Sequence, residues 1–301
     1  MTIERVAIVG LGLIGGSIGL AVQGMLPDVA TMGWDADADV RSRAAERGLV
    51  GRVCATIAEA VREADLVILC VPVGAMGYAA EAIAPHLRPG TIVSDVGSSK
   101  RSVGEALTAA LPEAVVIPAH PVAGTEKSGP EAGFAELFRH RWCIVTPGAD
   151  APQAAIDALS AFWEGLGAKV EIMDADHHDV VLAVTSHIPH LIAYTIVGTA
   201  SDLEDVTRGE VIKYSAGGFR DFTRIAASNP TMWRDVFLTN RDAVLEVLGR
   251  FTEDLSLLQR AIRNGDGDTL YELFERTRTI RRSIIEEGQD DARPDFGRKD
   301  H

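Results

Sequence analysis

The fold of this chain is decided by the stretch Val6-Ala7-Ile8-Val9-Gly10-Leu11-Gly12-Leu13-Ile14-Gly15 near its N-terminus. A β-branched run leads directly into the pattern G-x-G-x-x-G, and a helix-like segment follows it. Gly10 permits a tight turn after the strand, Gly12 lets the backbone approach a pyrophosphate, and Gly15 lets the helix pack closely on the sheet. The N-terminal amides and the dipole of that helix can hold phosphates. The stretch therefore predicts a dinucleotide-binding βαβ unit.

An acidic residue, Asp35, stands at the end of the apolar segment Val29–Trp34, at the distance from Gly15 that such a unit requires. A carboxylate there accepts hydrogen bonds from a ribose 2′-hydroxyl and repels a 2′-phosphate. We therefore expect NAD rather than NADP as the cofactor. Further cofactor contacts are expected at the first helical turn and after the next central strand, from Leu13, Ile14, Val71 and Pro72.

Composition sets limits on the partners of this chain. Its 301 residues are enough for two domains, and 47% of them are hydrophobic, which supports a large core. The 29 basic and 43 acidic residues give a net charge of −14, which argues against nucleic acid and anionic membranes as partners. A small anionic substrate stays possible, provided that it meets a local cluster of cationic groups.

Cysteine content and the termini indicate a cytoplasmic protein. Cys54, Cys70 and Cys143 lack the spacing of metal ligands, so no metal site is expected, and buried reduced thiols fit a reducing compartment. The N-terminus enters a strand at once, so we expect no signal peptide. We also expect no membrane span, since we find no apolar stretch that approaches the roughly 20 residues needed to cross a bilayer.

The first part of the chain alternates strands and helices. Apolar runs predict strands at Val6–Val9, Leu66–Val71, Thr91–Ser94, Val115–Pro118, Trp142–Thr146 and Lys169–Ile172. Helical patterns lie at Ile14–Gly24, Val40–Arg47, Met76–Leu87 and Ala151–Leu166. Strands that are apolar on both faces indicate a mostly parallel, doubly wound α/β sheet of the Rossmann type, with ligands at the carboxyl ends of its strands.

The pattern changes near Met173, after which helical periodicity dominates. Long helices are predicted at Asp176–Ser201, Pro230–Arg263 and Asp266–Glu287. We therefore expect a dinucleotide-binding domain at 1–173, a helical substrate and dimerisation domain at 174–288, and a disordered polar tail at 289–301. The run His187–Ala200 is apolar on most faces, which predicts that it is buried on all sides in the core of a homodimer.

Polar residues stand in three places where core residues would be expected. Asp95–Lys100 and His120–Gly129 each follow a predicted strand, so both fall at the ligand-binding edge of the sheet. Ser186–His190 opens the apolar helix, and its two histidines, three residues apart, can face the same side. Lys100 has a simpler possible role as a helix cap.

His120 is the candidate base for oxidation of an alcohol, which requires a group to accept the hydroxyl proton. Ser98 could hydrogen-bond the same hydroxyl. A structural histidine in a His-Pro turn remains the alternative for His120. In a fourth cluster, Ser215–Arg224 followed by Asn229–Asp235, a glycine pair that includes Gly217 permits close approach and arginines can bind a carboxylate. Two of these arginines could instead form surface pairs with adjacent acids, namely Arg220 with Asp221 and Arg234 with Asp235.

Five ordered motifs resemble the prephenate/arogenate (cyclohexadienyl) dehydrogenase family, over nearly the whole chain. They are GLGLIGGS (Gly10–Ser17), DVGSSK (Asp95–Lys100), HPVAGTEKSG (His120–Gly129), SHIPH (Ser186–His190) and GGFRDFTRIAASNPTMWRD (Gly217–Asp235). The resemblance implies an NAD-dependent oxidoreductase of tyrosine biosynthesis that forms a homodimer through its helical domain.

The resemblance also implies roles for individual residues. His120 would be the catalytic base, supported by Ser98, and Arg224 would bind a substrate carboxylate. His190 would line the substrate pocket with Gly217, Glu126 would lie at its entrance, and Trp233 would approach from the partner subunit. Hydride from C4 of prephenate or arogenate would pass to NAD as CO2 leaves and the ring becomes aromatic, giving 4-hydroxyphenylpyruvate or tyrosine.

Several alternatives stay open at this stage. A 3-hydroxyacid or 6-phosphogluconate-type dehydrogenase would use a helical lysine, for which Lys169 and Lys213 are the candidates, although neither lies in a recognisable glycine-flanked helix. A redox sensor could bind NAD without chemistry. We see no room for a fused regulatory domain, so tyrosine inhibition would have to act at the active site. The sequence does not separate prephenate from arogenate.

Overall fold

We describe the protein from a computed structural model, which covers residues 2–125, 127–202 and 217–286. Its main sheet has six parallel strands in the order β3-β2-β1-β4-β5-β6. The strands are β1 (Arg5–Val9), β2 (Ala30–Trp34), β3 (Arg52–Val53), β4 (Leu66–Leu69), β5 (Ile92–Asp95) and β6 (Val115–Val116). This is the strand order of a doubly wound dinucleotide-binding fold, so the predicted fold class is confirmed.

The central strand β1 pairs with β2 on one side and with β4 on the other. Its residues Val6–Val9 are completely buried, since helices cover both faces of the sheet. Those helices are α1 (Leu13–Met25), α2 (Ala38–Glu46), α3 (Ile57–Val61), α4 (Met76–Ile83), α5 (Arg101–Ala110) and α6 (Gln153–Gly165). The carboxyl ends of β1, β4 and β5 consequently meet at one edge.

A second, three-stranded sheet follows the first. It consists of β7 (Ala119–Pro121), β8 (Trp142–Val145) and β9 (Lys169–Ile172), with β7 antiparallel to β8 and β8 parallel to β9. The predicted strand Val115–Pro118 is therefore too long, because β6 ends at Val116. Pro118 has no amide hydrogen to continue the ladder, and its carbonyl instead accepts from Thr146 N of the second sheet.

The remainder of the described chain is helical. A turn of π-helix at Ala183–His187 joins α7 (Ala175–Leu182) to α8 (Ile188–Asp202). Further helices are α9 (Gly217–Thr223), α10 (Pro230–Thr239), α11 (Arg241–Asn264) and α12 (Gly267–Glu286). The single helix predicted at Pro230–Arg263 is wrong, because Asn240 leaves helical geometry and its side chain bonds the Asp179 carbonyl instead.

The apolar run in α8 is much more exposed than predicted. Ile188 and Ala193 are its buried residues, whereas Ile196 and Val197 are each 40% exposed. Within the described residues, α8 is therefore only partly covered, and burial on all sides is not observed. The continuous helical run Ala175–Asp202 is also long and apolar enough to cross a bilayer, by length and composition only, which corrects the expectation that no such segment exists.

Backbone packing divides the chain into two compact units, Met1–Leu245 and Glu246–His301. All of the residues discussed as a site below belong to the first unit. In the second unit, the described parts of α11 and α12 carry exposed large apolar side chains, among them Leu255, Ile262, Tyr271 and Phe274. The tail predicted to be disordered, 289–301, lies outside the described residues.

Candidate active site

His120 lies inside the second sheet, at the middle of β7, and not just after a strand of the first sheet as predicted. The side chain is 8% exposed. The chain reaches this position because β6 ends at Val116 and Pro118 leads directly into β7, beside the end of β5. His120 is thus held by a strand on a rigid part of the fold, which favours precise placement of its ring.

A line of three side chains supports the His120 ring. Its Nδ1 lies 2.9 Å from Nε2 of His178, and the Nδ1 of His178 lies 2.8 Å from Oδ1 of Asp179. The two imidazoles meet edge to face, with ring centroids 5.1 Å apart. The sequence resemblance assigned this supporting role to Ser98, but no hydrogen bond joins Ser98 to His120 among the described residues.

Asp179 is itself fixed by the N-terminus of α5. Its Oδ1 accepts a 2.7 Å hydrogen bond from the amide of Lys100, and its Oδ2 accepts a 3.1 Å bond from the amide of Arg101. Burial alone would raise the pKa of Asp179, but hydrogen bonds from His178 and these two amides outweigh burial and lower the pKa. The carboxylate is therefore ionised and accepts only.

Burial also controls both histidines of this line. It lowers the pKa of His120 well below its ordinary value, and the neighbouring His178, Lys100 and His187 lower it further. Burial lowers the pKa of His178 too, although the hydrogen bond to Asp179 opposes the change. Both rings are consequently neutral near pH 7.

A second group of side chains surrounds Trp233, which is 6% exposed. The His190 ring stacks on the indole with centroids 3.6 Å apart, and the His187 ring meets it at 6.0 Å. The two histidines therefore face the same side, as their spacing predicts. Trp233 packs here against its own chain, which corrects the expectation that it approaches from a partner subunit. Its Nε1 is buried and makes no hydrogen bond within the described structure.

The two histidines differ in their polar partners. Burial lowers the pKa of His187 to about 4, and its Nδ1 lies 3.1 Å from the side-chain amide of Asn240. His190 donates from Nδ1 to the Ser186 carbonyl at 2.8 Å, since a carbonyl oxygen only accepts. Burial lowers the pKa of His190, and the nearby charge of Arg224 lowers it further. Arg224 is thereby placed within electrostatic range of the His190–Trp233 stack.

The other arginines of the fourth cluster form the surface pairs left open by the sequence. Arg220 Nε lies 3.2 Å from Asp221, and Arg234 Nη2 lies 2.6 Å from Asp235. Gly217 opens α9, and Glu126 lies outside the described residues.

The residues of the glycine-rich turn suit a dinucleotide. A Cβ on Gly10, which has φ of +101°, would meet the Cys70 carbonyl and the Val71 amide, and one on Gly15 would overlap the Gly10 carbonyl. A Cβ on Gly12 would meet nothing within 4 Å, so the turn is open there. Gly12 is also the N-cap of α1 and provides no side-chain cap. The amides that follow it, at Leu13 and Ile14, are thus available to a phosphate.

Asp35 lies where the sequence predicts, just after β2. Its Oδ2 accepts a 2.8 Å hydrogen bond from Leu11 N in the glycine-rich turn, and its Oδ1 accepts from Asp37 N at 3.0 Å. The carboxylate therefore links the end of β2 to the turn after β1. Pro72 caps the short helix that follows β4 at the same edge of the sheet.

The segment after His120 borders an open cavity of about 280 Å³. Val122–Thr125 lines it on one side and Phe134, Glu136, Leu137, Arg139 and Arg141 line it on the other. Two arginines against one glutamate make this cavity locally cationic in a chain of strongly negative net charge.

Of the two lysines considered for the alternative dehydrogenase chemistry, the structure describes Lys169, and it does not lie on a helix. Lys169 begins β9, where its Nζ stands 5.5 Å from the centroid of the Trp142 ring. Lys169 thus belongs to a strand of the second sheet, whereas a 3-hydroxyacid or 6-phosphogluconate-type dehydrogenase would require an acid–base lysine on a helix. Lys213 lies outside the described residues.

Sequence reasoning missed His178, Asp179 and Asn240, and it gave Lys100 no role beyond that of a helix cap, whose position it does occupy at the start of α5. Each contacts the site through side chains brought together from distant segments. A signal existed for two of them, because His178 and Asp179 are polar residues in the first turns of a helix whose other residues are mainly apolar. No spacing rule connects them to His120.

Two family models match the chain. Residues 18–172 match the nucleotide-binding domain of prephenate dehydrogenase, and residues 174–276 match the prephenate dehydrogenase dimerization domain. The glycine-rich turn precedes the first match, so its function rests on the geometry described above.

Known proteins with similar sequence or structure share these assignments. The chain is 47% identical over 281 residues to a cyclohexadienyl dehydrogenase of Zymomonas mobilis, covering 93% of this chain and 96% of that protein. It is 31% identical to the prephenate dehydrogenase of Bacillus subtilis, covering 92% and 75% of the two chains. The crystal structure of Aquifex aeolicus prephenate dehydrogenase with hydroxyphenyl propionate and NAD+ superposes with a TM-score of 0.87 at 30% identity, covering 94% and 99%.

Proposed function

The chain belongs to the prephenate dehydrogenase family, and from this we propose that it oxidises prephenate, arogenate or both in tyrosine biosynthesis, with NAD as the cofactor. NAD supplies the acceptor for the hydride that leaves C4 of the substrate ring. The protein then has to remove the C4 hydroxyl proton, hold the substrate carboxylates and align the reacting atoms, which is largely a contribution of proximity. Loss of CO2 and aromatisation make the reaction effectively irreversible.

The observation that carries this proposal is the hydrogen-bonded line from His120 to Asp179. A carboxylate only accepts, so His178 must carry its proton on Nδ1 and present a bare Nε2 to His120. His120 must then donate from its own Nδ1. A neutral His120 in this tautomer has a lone pair on Nε2, and that atom accepts the hydroxyl proton. The arrangement follows the logic by which an aspartate fixes the tautomer of a catalytic histidine.

The substrate carboxylates are assigned to the group around Trp233. Arg224 is the donor, and His190, which stacks on Trp233, contributes an aromatic wall against the substrate. Gly217 would allow close approach at the start of α9, and Glu126 would stand at the entrance. Ser98, half-buried after β5, would bond the substrate hydroxyl and does not need to support His120.

Formation of NADH from NAD, or of NADPH from NADP, with prephenate and with arogenate as substrates tests the proposal directly. Turnover of either substrate with NAD is the expected result and identifies the substrate. Binding of NAD without turnover of either substrate would contradict the proposal and favour a sensor.

Arg224→Met should raise KM for the substrate about tenfold and change kcat little, because an exposed carboxylate contact is made both before and during the reaction. Steady-state kinetics at saturating NAD measure both constants. Arg220→Met is the matched control, since that arginine pairs with Asp221 on the surface, and its KM should match that of the unmodified protein. A large loss of kcat with unchanged KM in Arg224→Met would contradict the assignment.

Asp35→Ala should reduce the preference for NAD over NADP. The substitution removes the charge that would repel a 2′-phosphate and the acceptor for the ribose hydroxyls. The ratio of kcat/KM with the two cofactors is the measurement, and we expect it to fall at least tenfold, about 1.4 kcal/mol. Asp37→Ala, on the following turn, is the control. An unchanged ratio in Asp35→Ala would exclude the ribose role.

The helical part supports assembly of two copies. Its match to a dimerization domain and the exposed apolar face of α8 favour a homodimer, with the run Ala175–Asp202 covered by a partner subunit rather than by lipid. In this proposal the nucleotide-binding domain spans residues 1–173, the helical domain spans 174–288, and 289–301 form a tail.

A further inference from the structure

A buried ion pair stands beside the base and has no part in the steps above. Lys100 Nζ contacts Oδ2 of Asp95, and both side chains are completely buried. Asp95 is the last residue of β5, and Lys100 is the N-cap of α5. A buried ion pair of this kind is often no more stabilising than packed apolar side chains of the same volume. Its presence next to His120 therefore calls for a function other than stability.

Both side chains of the pair hold the backbone of Ala119, the residue directly before His120. Lys100 Nζ donates to the Ala119 carbonyl at 2.7 Å, and Oδ1 of Asp95 accepts from the Ala119 amide at 3.3 Å. Asp95 is held in turn by the amide of Gly97 at 2.7 Å. The pair thus joins the end of the first sheet to the strand of the second sheet that carries the base.

The pair also brings a fixed charge close to the imidazole. Burial lowers the pKa of His120 most, and His178, Lys100 and His187 add to the effect in that order. The groups that face Lys100 from the surrounding elements are Asp95 on β5, Asp179 on α7 and Cys143 on β8. Burial lowers the pKa of Lys100, and Asp95 and Asp179 oppose the change.

We propose that the Asp95–Lys100 pair positions His120 for catalysis by holding Ala119, with the ammonium as a fixed positive charge beside the imidazole. The inference rests on the proposed function of His120 as the base. Two consequences follow. Loss of the pair lets the His120 ring move from its catalytic position. Loss of the ammonium also raises the pKa of His120, so the ring becomes protonated, and inactive as a base, at a higher pH.

Lys100→Met tests both consequences. We expect kcat to fall about tenfold, because a small misplacement of a catalytic group is costly. The acid limb of the kcat/KM profile should move to higher pH, since His120 protonates more readily without the ammonium. NMR titration of the His120 ring in the full chain should show the same upward shift without any turnover. If Lys100 only stabilised the fold, its substitution would lower activity by the same factor at every pH.

The double variant Asp95→Asn with Lys100→Met guards against misfolding, because it leaves no unpaired buried carboxylate, and it should show the same shift. Arg88→Met is the matched control. That arginine donates to the Ala64 carbonyl and to Asp65, each at 3.0 Å, at the opposite end of the sheet. Its loss should lower the melting temperature and leave the pH profile unchanged.

The outcomes separate this inference from the proposed function. If His120→Asn is inactive and a folded Lys100 variant has the profile and the NMR titration of the unmodified protein, the positioning role is wrong and the base assignment stands. If His120→Asn retains full activity, the proposed function fails, and this inference fails with it.

Discussion

His120→Asn is expected to lower kcat by about 10²–10⁴-fold, the usual contribution of a positioned general base. The substitution removes the Nε2 lone pair that we propose accepts the C4 hydroxyl proton, while the glycine-rich turn and Asp35 are untouched. NAD affinity, measured by quenching of protein fluorescence, should therefore stay the same. Stopped-flow measurement of the first turnover should show the loss in the chemical step.

The matched control is His177→Asn. His177 is exposed on α7, next to the supporting His178, so its loss should leave kcat unchanged. A His120→Asn enzyme that keeps kcat within a few-fold of the unmodified protein would refute the base assignment, whatever its KM.

The pH dependence of kcat/KM follows from the same group. Because burial and neighbouring groups hold the pKa of His120 well below its ordinary value, the ring stays neutral through the weakly acidic range. The rate should be flat across neutrality and fall only at distinctly acid pH. A histidine with its ordinary pKa would instead lose activity closer to neutrality, and the sequence alone cannot show that this side chain is buried.

Local sequence determines the part of the site that we propose binds the nucleotide. The turn from Gly10 to Gly15 and the carboxylate of Asp35 can be predicted from residue type and spacing. The neighbouring backbone leaves no room for a Cβ at Gly10 or Gly15, and the Leu11 amide donates to Asp35. The structure places both where spacing predicts. The parallel direction of the strands also follows from local rules, because buried apolar strands linked by helices form parallel sheets with right-handed crossovers.

The part of the site that we propose is catalytic depends on contacts between distant segments. His120 and His178 are 58 residues apart in the chain, and Lys100 and Asp179 are 79 apart. No local periodicity encodes such pairs. The second sheet was missed for a related reason, since the departure at Pro118 depends on pairing with Val145 and Thr146 far along the chain.

The exposure of α8 shows a different limit. An apolar helix needs cover, but its sequence does not say whether the cover comes from the same chain or from a second copy. Residues such as Ile196 and Val197 are apolar in either case. The pattern therefore predicts the need for burial and leaves its source undetermined.

His178→Phe is expected to lower kcat about 10–100-fold, less than loss of the base itself. Phenylalanine keeps an aromatic ring against His120 but removes the acceptor for its Nδ1 hydrogen. A buried donor without a partner costs about 1–3 kcal/mol. His120 avoids that cost by moving its proton to Nε2, and in that tautomer it cannot accept a proton from the substrate. Each tenfold change in rate corresponds to about 1.4 kcal/mol of free energy. The energy needed to restore the active tautomer of His120 therefore gives the expected loss of kcat.

Two further variants separate this tautomer effect from damage to the fold. His178→Gln retains a side-chain carbonyl that can accept from His120, so it should recover part of the lost kcat. His177→Phe introduces the same ring at the adjacent exposed position and should have no effect on kcat. The reason lies in the direction of the hydrogen bonds, which runs from His120 through His178 to an ionised Asp179. Equal losses in the phenylalanine and glutamine variants would show that His178 fills space and does not fix the tautomer of the base.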